Sequence, residues 1–158
     1  MNMFRLPIRQ QFPNLADVGV VTTPFGGATR YENFHPAVDI AMKKGTPIPS
    51  PISGQVVDAV GGKRQGDEGY GNLVTVQTPN GDRHQFGHLQ MPAVMPGQQI
   101  QKGQLVGTLG NSGGSYSPSG QGDGSHLDYR ITDAYRRYKN PTPYIKDFRT
   151  VYASRPWQ

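Results

Sequence analysis

The sequence predicts an all-β protein with a single domain. At 158 residues, the chain has the length of one ordinary domain, which can bury a core without disulfide bonds or a structural metal. It contains 21 Gly and 14 Pro, and only 17% of its residues are charged. This composition favours many short strands joined by tight turns over long helices.

The first half of the chain alternates strand-like runs with Gly and Pro. Strands are expected in VGVVTTPFGG and in HPAVDIAM. Prolines at 47, 49 and 51 exclude a helix before a strand over Gln55 to Val60. The strongest local pattern is NLVTVQTPNGDRHQFGHL, in which two strand-like runs are joined across Asn80-Gly81. That dipeptide tolerates the positive φ angles of a tight turn, so a hairpin is predicted here.

The second half continues in the same way. VMPGQQIQKGQLVGTLGNSGG predicts two short strands, and SYSPSGQGDG predicts a loop. GSHLDYRI predicts a strand on which His126 and Asp128 share one face. TDAYRRYKNPTPYIKDF predicts a short C-terminal helical segment, which Pro141 and Pro143 cut short.

The net charge of +5 and the pI near 9.6 favour polyanionic surroundings. Basic residues gather late in the chain, where only Asp133 and Asp147 are acidic: Arg130, Arg136, Arg137, Lys139, Lys146, Arg149 and Arg155. Because no nucleic-acid-binding motif accompanies them, we interpret this stretch as a solvated terminal segment and expect no nucleic-acid partner. The sequence shows no signal-peptide pattern and no run long enough for membrane insertion.

The four histidines provide the candidate chemistry, because each lies at an even interval from another His or an Asp. On a strand, such spacing places both side chains on one face. The pairs are His35 with Asp39, His84 with His88, and His126 with Asp128. Without Cys, a metal site must use imidazole and carboxylate ligands. If their strands are neighbours, the first pair and one member of the third can close on a zinc ion, with a position left for water.

Several motifs together resemble the lysostaphin/LytM-type zinc endopeptidases, which cut peptide bridges in bacterial peptidoglycan. In chain order, from about Phe25 to Ile145, they are FHPAVDIAMKKGTPI, GYGNLVTV, FGHL, MPGQQIQKGQLVGTLGNSG, GSHLDYRI and NPTPYI. The resemblance implies antiparallel sheets of the duplicated hybrid motif, which is barrel-sandwich-like. It divides the chain into an N-terminal strand or extension (1–24), a LytM-like metallopeptidase domain (25–145) and a basic C-terminal tail (146–158).

The resemblance also implies the site residues, with one zinc per chain. His35 and Asp39 correspond to zinc ligands, and His88 and His126 to the catalytic residues that do proton and oxyanion chemistry. The third ligand falls on Asp128, where the family pattern has His. Asp can bind zinc, but two carboxylates cancel the formal charge of the dication. We therefore expect a weaker, more exchangeable metal site, and tighter zinc retention when Asp128 is replaced by His.

Other interpretations of single residues stay open at this point. Asp128 can instead orient His126 beside an empty cleft. His84 matches no family motif and is expected at the surface or on the rim of the cleft. Asn72 is either a turn residue or a cleft contact. No G-x-S-x-G elbow supports a serine nucleophile.

The predicted function is metal-dependent hydrolysis of peptidoglycan peptide cross-links, with anionic wall polymers as additional partners. Such an enzyme acts outside the cytoplasmic membrane. Since the sequence shows no export signal, either the signal has been removed from the chain or delivery takes another route, such as a bacteriophage particle or a lysis channel, and we prefer a bacteriophage lytic enzyme. The sequence does not specify which cross-link is cut. The alternative is a degenerate LytM-like module that binds the wall, or serves a structural or regulatory role, without hydrolysis.

Overall fold

A computed structural model describes residue 15 and residues 19–29, 32–115 and 123–145. These ranges contain short strands and one 3₁₀ turn at Thr142–Tyr144. The strands are β1 (Val20–Thr23), β2 (Val38–Ala41), β3 (Pro47–Pro49), β4 (Gly54–Val60), β5 (Asn72–Gln77), β6 (Arg83–Pro92), β7 (Gln99–Ile100), β8 (Leu105–Leu109), β9 (His126–Thr132) and β10 (Tyr138–Lys139). The prediction of an all-β fold is confirmed.

The strands pair in the order β1-β2-β9-β6-β5-β4-β7, and every strand pair is antiparallel. In addition, β8 pairs with β6 and β3, and β10 pairs with β9. The predicted hairpin is β5 and β6, and its turn contains Gly81 at a φ of 90°. The Pro-rich β3 pairs with β8 alone, as expected for a strand that cannot donate a full ladder of hydrogen bonds.

Alternate residues of the central strands form the hydrophobic core. Phe86 of β6 stacks on Tyr129 of β9, with ring centroids 5.1 Å apart and nearly parallel planes. Both side chains are fully buried. The other face of these two strands carries polar residues, so the core fixes which side chains of β6 and β9 are left for a site.

The predicted C-terminal helical segment is reduced to the 3₁₀ turn at Thr142–Tyr144. The preceding residues instead turn back to form β10. The Asp133 carboxylate accepts the backbone N–H groups of Tyr135 and Arg137, and Arg136 has a φ of 64°, which is incompatible with a right-handed helix. Two predicted segments, residues 116–122 of the loop and the basic tail 146–158, lie outside the described residues, as do residues 1–14. No helix in the described ranges is long and apolar enough to cross a membrane.

The expectation that His84 lies at the surface or on the cleft rim is wrong, because its side chain is fully buried in the core. Its Nδ1 is 2.7 Å from the hydroxyl of Tyr129, and its ring meets the ring of Tyr144 edge to face. Its Nε2 is buried and has no hydrogen-bond partner among the described residues. This burial, with a smaller contribution from Lys139, lowers the pKa of His84 to about 4 despite the opposing effect of Asp82.

The buried neutral His84 should make the fold sensitive to mild acid. Below pH 6.5 the unfolded chain protonates this histidine, whereas the folded chain does so only near pH 4, so stability falls as the pH decreases through this window. A shift of this size corresponds to about 3 kcal/mol at pH 4. Urea unfolding at pH 7, 6, 5 and 4 measures it, with His84→Gln as the non-titrating control. Equal pH slopes for the two proteins would contradict this account.

Candidate metal centre

Three neighbouring strands, β2, β9 and β6, build the polar site on the face opposite the core. In the strand register, Asp39 of β2 and Gly87 of β6 lie opposite Asp128 of β9, and His126 lies opposite Ala41. Residues that face each other across a ladder point to the same side of the sheet. His126 and Asp128 therefore share a face, as predicted, and the pairing of β2 with β9 places Asp39 next to it.

His35 reaches the same site from outside the strand. It lies in the loop before β2, so the strand spacing used to predict its position does not apply to it. Its backbone N–H donates to Gly27 and its carbonyl accepts from Gly26, which fixes the residue against the turn after β1. The side chain is only 5% exposed, and its Nδ1 lies 2.5 Å from a carboxylate oxygen of Glu32.

The Nε2 of His35 lies 3.1 Å from Oδ1 of Asp39. Both atoms are buried, and neither makes a hydrogen bond to any other described residue. If Nδ1–H donates to Glu32, neutral His35 directs the Nε2 lone pair at a carboxylate lone pair, an arrangement that requires a proton or a cation between them. With no cation present, burial disfavours the charged imidazole, but hydrogen bonding and attraction to Asp39, assisted by Glu32 and Asp128, raise the pKa of His35 to about 9.

His88 reaches the site because its backbone breaks the strand alternation. Side chains at 84 and 86 of β6 enter the core, so regular alternation would send residue 88 there too. His88 instead has a φ of 62°, a conformation that costs a non-Gly residue about 1–2 kcal/mol. Its backbone N–H donates to Tyr70 and its carbonyl accepts from Gly110. The strain therefore directs the imidazole out of the core and towards the metal-binding face.

The two site histidines lie side by side, with ring centroids 4.7 Å apart. The Nδ1 of His88 is 2.7 Å from the carbonyl of Ser112, and the Nδ1 of His126 is 2.9 Å from the carbonyl of Gly124. A carbonyl only accepts, so each Nδ1 carries a proton and each Nε2 is the acceptor in the neutral ring. The Nε2 of His126 lies 3.9 Å from Oδ1 of Asp39. Burial and the neighbouring His126 lower the pKa of His88, which favours its neutral form.

Asp128 forms an ion pair with Arg130. Arg130 was interpreted as part of a solvated basic segment, but it is 8% exposed and lies on the site face of β9. Its Nε and Nη2 donate to the two carboxylate oxygens of Asp128 at 2.8 and 2.7 Å. The guanidinium also covers the ring of Tyr70, 4.2 Å from the centroid. The Asp128 carboxylate therefore orients Arg130 and not His126.

The remaining uncertain residues are structural. Asn72 is buried: its side chain accepts from the backbone of Lys63 and donates to the carbonyls of Lys63, Leu89 and Gln90, which anchors the loop before β5. Ser112 accepts from the backbone of Asn72 and donates to Leu89. Neither side chain is therefore part of the metal-binding cluster.

The positions of three candidate ligands suit a metal ion, with a small adjustment of the third. His35, Asp39 and Asp128 each offer a ligand atom, and these atoms lie within 4.8 Å of one another. Tetrahedral zinc with bonds of 2.0–2.2 Å separates its ligand atoms by about 3.4 Å. The Nε2 of His35 and the Oδ1 of Asp39 are close to this spacing, while the ligand oxygen of Asp128 must move slightly closer to them. A cation is expected between Nε2 of His35 and Oδ1 of Asp39, which bond to no other described residue, and Glu32 is placed to orient the His35 ligand.

Three contributors to the site were missed from the sequence: Arg130, Tyr70 and Glu32. Arg130 follows Asp128 by two residues, and this even spacing on a strand could have revealed the ion pair. Glu32 and Tyr70 lie in loops, where no periodicity predicts which way a side chain points.

The chain matches the family model of peptidase family M23 over residues 33–141. Among solved structures it is similar to a mutant of the catalytic domain of the prophage-encoded M23 protein EnpA from Enterococcus faecalis. The identity is 25%, the TM-score is 0.64, and 78% of this chain and 89% of that chain are covered. It is also similar to the antimicrobial peptidase lysostaphin from Staphylococcus simulans, at 25% identity and a TM-score of 0.63, over 81% of this chain and 49% of that one.

Helicobacter pylori Csd3 is a third similar structure, at 26% identity and a TM-score of 0.60, over 80% of this chain and 31% of that chain. The chain thus spans about half of lysostaphin and a third of Csd3, but most of the EnpA catalytic domain. The family model covers more than two thirds of the chain and includes every strand of the site. The chain therefore belongs to peptidase family M23.

Proposed function

We propose that this chain is a zinc-dependent endopeptidase that hydrolyses peptide cross-links of bacterial peptidoglycan. The observation that carries the proposal is the buried contact between Nε2 of His35 and Oδ1 of Asp39, which bond to no other described residue. It lies beside two histidines whose Nε2 atoms are the acceptors of the neutral rings. Membership of peptidase family M23 supports peptide hydrolysis, and the similar lysostaphin is described as an antimicrobial peptidase.

His35, Asp39 and Asp128 would hold the zinc ion. When bound, zinc polarises the scissile carbonyl and lowers the pKa of the attacking water. Glu32 would keep the Nδ1 proton of His35 in place, so that Nε2 is available as a ligand. Because Arg130 offsets the charge of Asp128, the site does not carry the two uncompensated carboxylates expected from the sequence.

The histidines would handle the protons. Since the Nδ1 atoms of His126 and His88 both donate to carbonyls, each Nε2 can accept a proton from water. The histidine that takes this proton becomes a donor at Nε2 and can pass it to the leaving amine. We assign this role to His126, which lies beside Asp39. We assign stabilisation of the oxyanion to His88, which can donate there only after its Nε2 takes up a second proton from solvent. The two rings are close enough to exchange these roles.

The proposed substrate places the action of the chain outside the cytoplasmic membrane. A bacteriophage source is our preferred origin, and the similar EnpA is prophage-encoded. Contact with anionic wall polymers would depend mainly on the tail 146–158. Within the described residues, three of the late basic side chains are already in ion pairs: Arg130 with Asp128, Arg137 with Asp133, and Lys139 with Asp82.

One observation favours the alternative of a wall-binding module without hydrolysis. Arg130 donates to both oxygens of Asp128, so a guanidinium competes for the third ligand. In this alternative the pair fills the position of the metal, and the protein binds peptidoglycan without cleaving it.

Hydrolysis of purified peptidoglycan separates the two functions. The zinc-loaded chain should release free amino groups from one of two wall preparations, cross-linked either by glycine bridges or directly through diaminopimelate. Chelation should abolish the release, and added zinc should restore it. Sedimentation with the wall and no release of amino groups from either preparation would establish the binding module instead.

A further inference from the structure

The Asp128–Arg130 pair has the geometry of a fixed unit. Its two hydrogen bonds, at 2.7 and 2.8 Å, run in parallel between the guanidinium and the carboxylate. The two side chains are 9% and 5% exposed, and Tyr70 covers the guanidinium. Such a bidentate pair is more rigid than a single-point contact between Lys and a carboxylate.

Pairing with Arg130 leaves Asp128 able to bind a cation. An ionised carboxylate has about four lone-pair positions, and the two hydrogen bonds use one on each oxygen. A carboxylate oxygen of Asp128 also belongs to the cluster of ligand atoms with His35 and Asp39. The same carboxylate can therefore face the guanidinium on one side and a metal on the other.

The pair also sets the charge of the site. Asp128 and Arg130 together are neutral. With His35 neutral, as a metal ligand must be, Asp39 is then the one candidate ligand that adds a net negative charge beside a dication. The guanidinium lies directly behind a metal ligand and is shielded from solvent, so its repulsion of a dication is only weakly screened.

We propose that Asp128 and Arg130 act as one composite, nearly neutral ligand, in which Arg130 lowers the affinity of the site for zinc. This inference rests on the proposed metal site, with Arg130 as a positioning and charge-setting residue. In this view, Asp128 is the ligand and Arg130 limits how tightly the dication is held.

Zinc affinity of the full chain, measured by competition with a chromophoric chelator, tests the inference. Arg130→Gln should bind zinc at least about tenfold more tightly than the parent protein, because the opposing charge is lost. Arg130→Lys, which keeps the charge, should stay within about threefold of the parent. Arg137→Gln is the matched control: it removes a positive charge from a largely exposed ion pair and should change the affinity less than about twofold.

An Arg130→Gln affinity equal to or weaker than the parent's would overturn the inference while leaving the proposed metal site intact. If Arg130→Gln does not fold, Arg130→Lys decides. A zinc affinity about tenfold or more below the parent's, the range typical of a displaced ligand partner, would show that orientation by Arg130 outweighs its charge. That result would overturn the inference. A parent protein that binds zinc no better than His35→Ala would instead refute the proposed metal site itself.

Discussion

Replacing His126 by Ala is expected to lower the rate of cross-link hydrolysis by about 10²- to 10⁴-fold, the range for loss of a positioned general base. The Nδ1–H of His126 is fixed by the carbonyl of Gly124, so its Nε2 is directed towards Asp39. Alanine removes the acceptor but none of the three candidate metal ligands. The loss should therefore appear in the rate of amino-group release, while the zinc content stays near that of the parent protein.

His88→Ala should cause a second large loss, of about 10²- to 10³-fold, if His88 stabilises the oxyanion. The chain offers a matched control in His84→Gln, because His84 lies on the same strand but points into the core. This control should lose thermal stability and keep its activity. Full activity in both His126→Ala and His88→Ala would refute the proposed mechanism, whereas equal losses in all three variants would indicate a folding defect.

The sequence predicted the parts of the site that depend on regular strand geometry. Asp39 and Asp128 face each other because β2 and β9 are regular and alternate cleanly between core and site. The hairpin of β5 and β6 was predictable because Asn80-Gly81 encodes its turn locally.

The missed features are those in which tertiary structure overrides the local pattern. Even spacing placed His84 and His88 on one face, but the positive φ of His88 sends the two imidazoles to opposite sides of β6. The predicted short helical segment is confined to the 3₁₀ turn at Thr142–Tyr144, since the turn at Asp133 and Arg136 first redirects the chain into β10. The conformation of His88 is stabilised by the distant carbonyl of Tyr70 and amide of Gly110, which a single sequence does not reveal.

The charge of Arg130 illustrates a further limit of composition. Together with the neighbouring basic residues, Arg130 suggests an exposed basic segment. In the structure, however, Arg130 is buried and neutralises the buried carboxylate of Asp128. Net charge describes the surroundings that a protein favours, but the position of each charged residue decides the local electrostatics. At position 128, Arg130 offsets the negative charge of the carboxylate that stands where the family pattern has an imidazole.

Asp128→His alone is therefore expected to destabilise the protein, even though it installs the ligand that the sequence resemblance calls for. The substitution leaves Arg130 buried with its charge uncompensated, covered by Tyr70. Breaking a buried ion pair by removing one partner costs about 3–5 kcal/mol. The double variant Asp128→His/Arg130→Gln should recover much of this loss, because no buried charge is left unpaired, and it should bind zinc more tightly than Asp128→His.

Urea unfolding in the presence of a chelator measures the stability difference without a contribution from bound metal. Arg137→Gln is again the control, since loss of its exposed ion pair with Asp133 should cost no more than about 1 kcal/mol. A single variant as stable as the parent would show that the Asp128–Arg130 pair contributes little to the fold. Recovery in the double variant would instead show that a third imidazole ligand requires the removal of Arg130, because histidine cannot neutralise a guanidinium as Asp128 does.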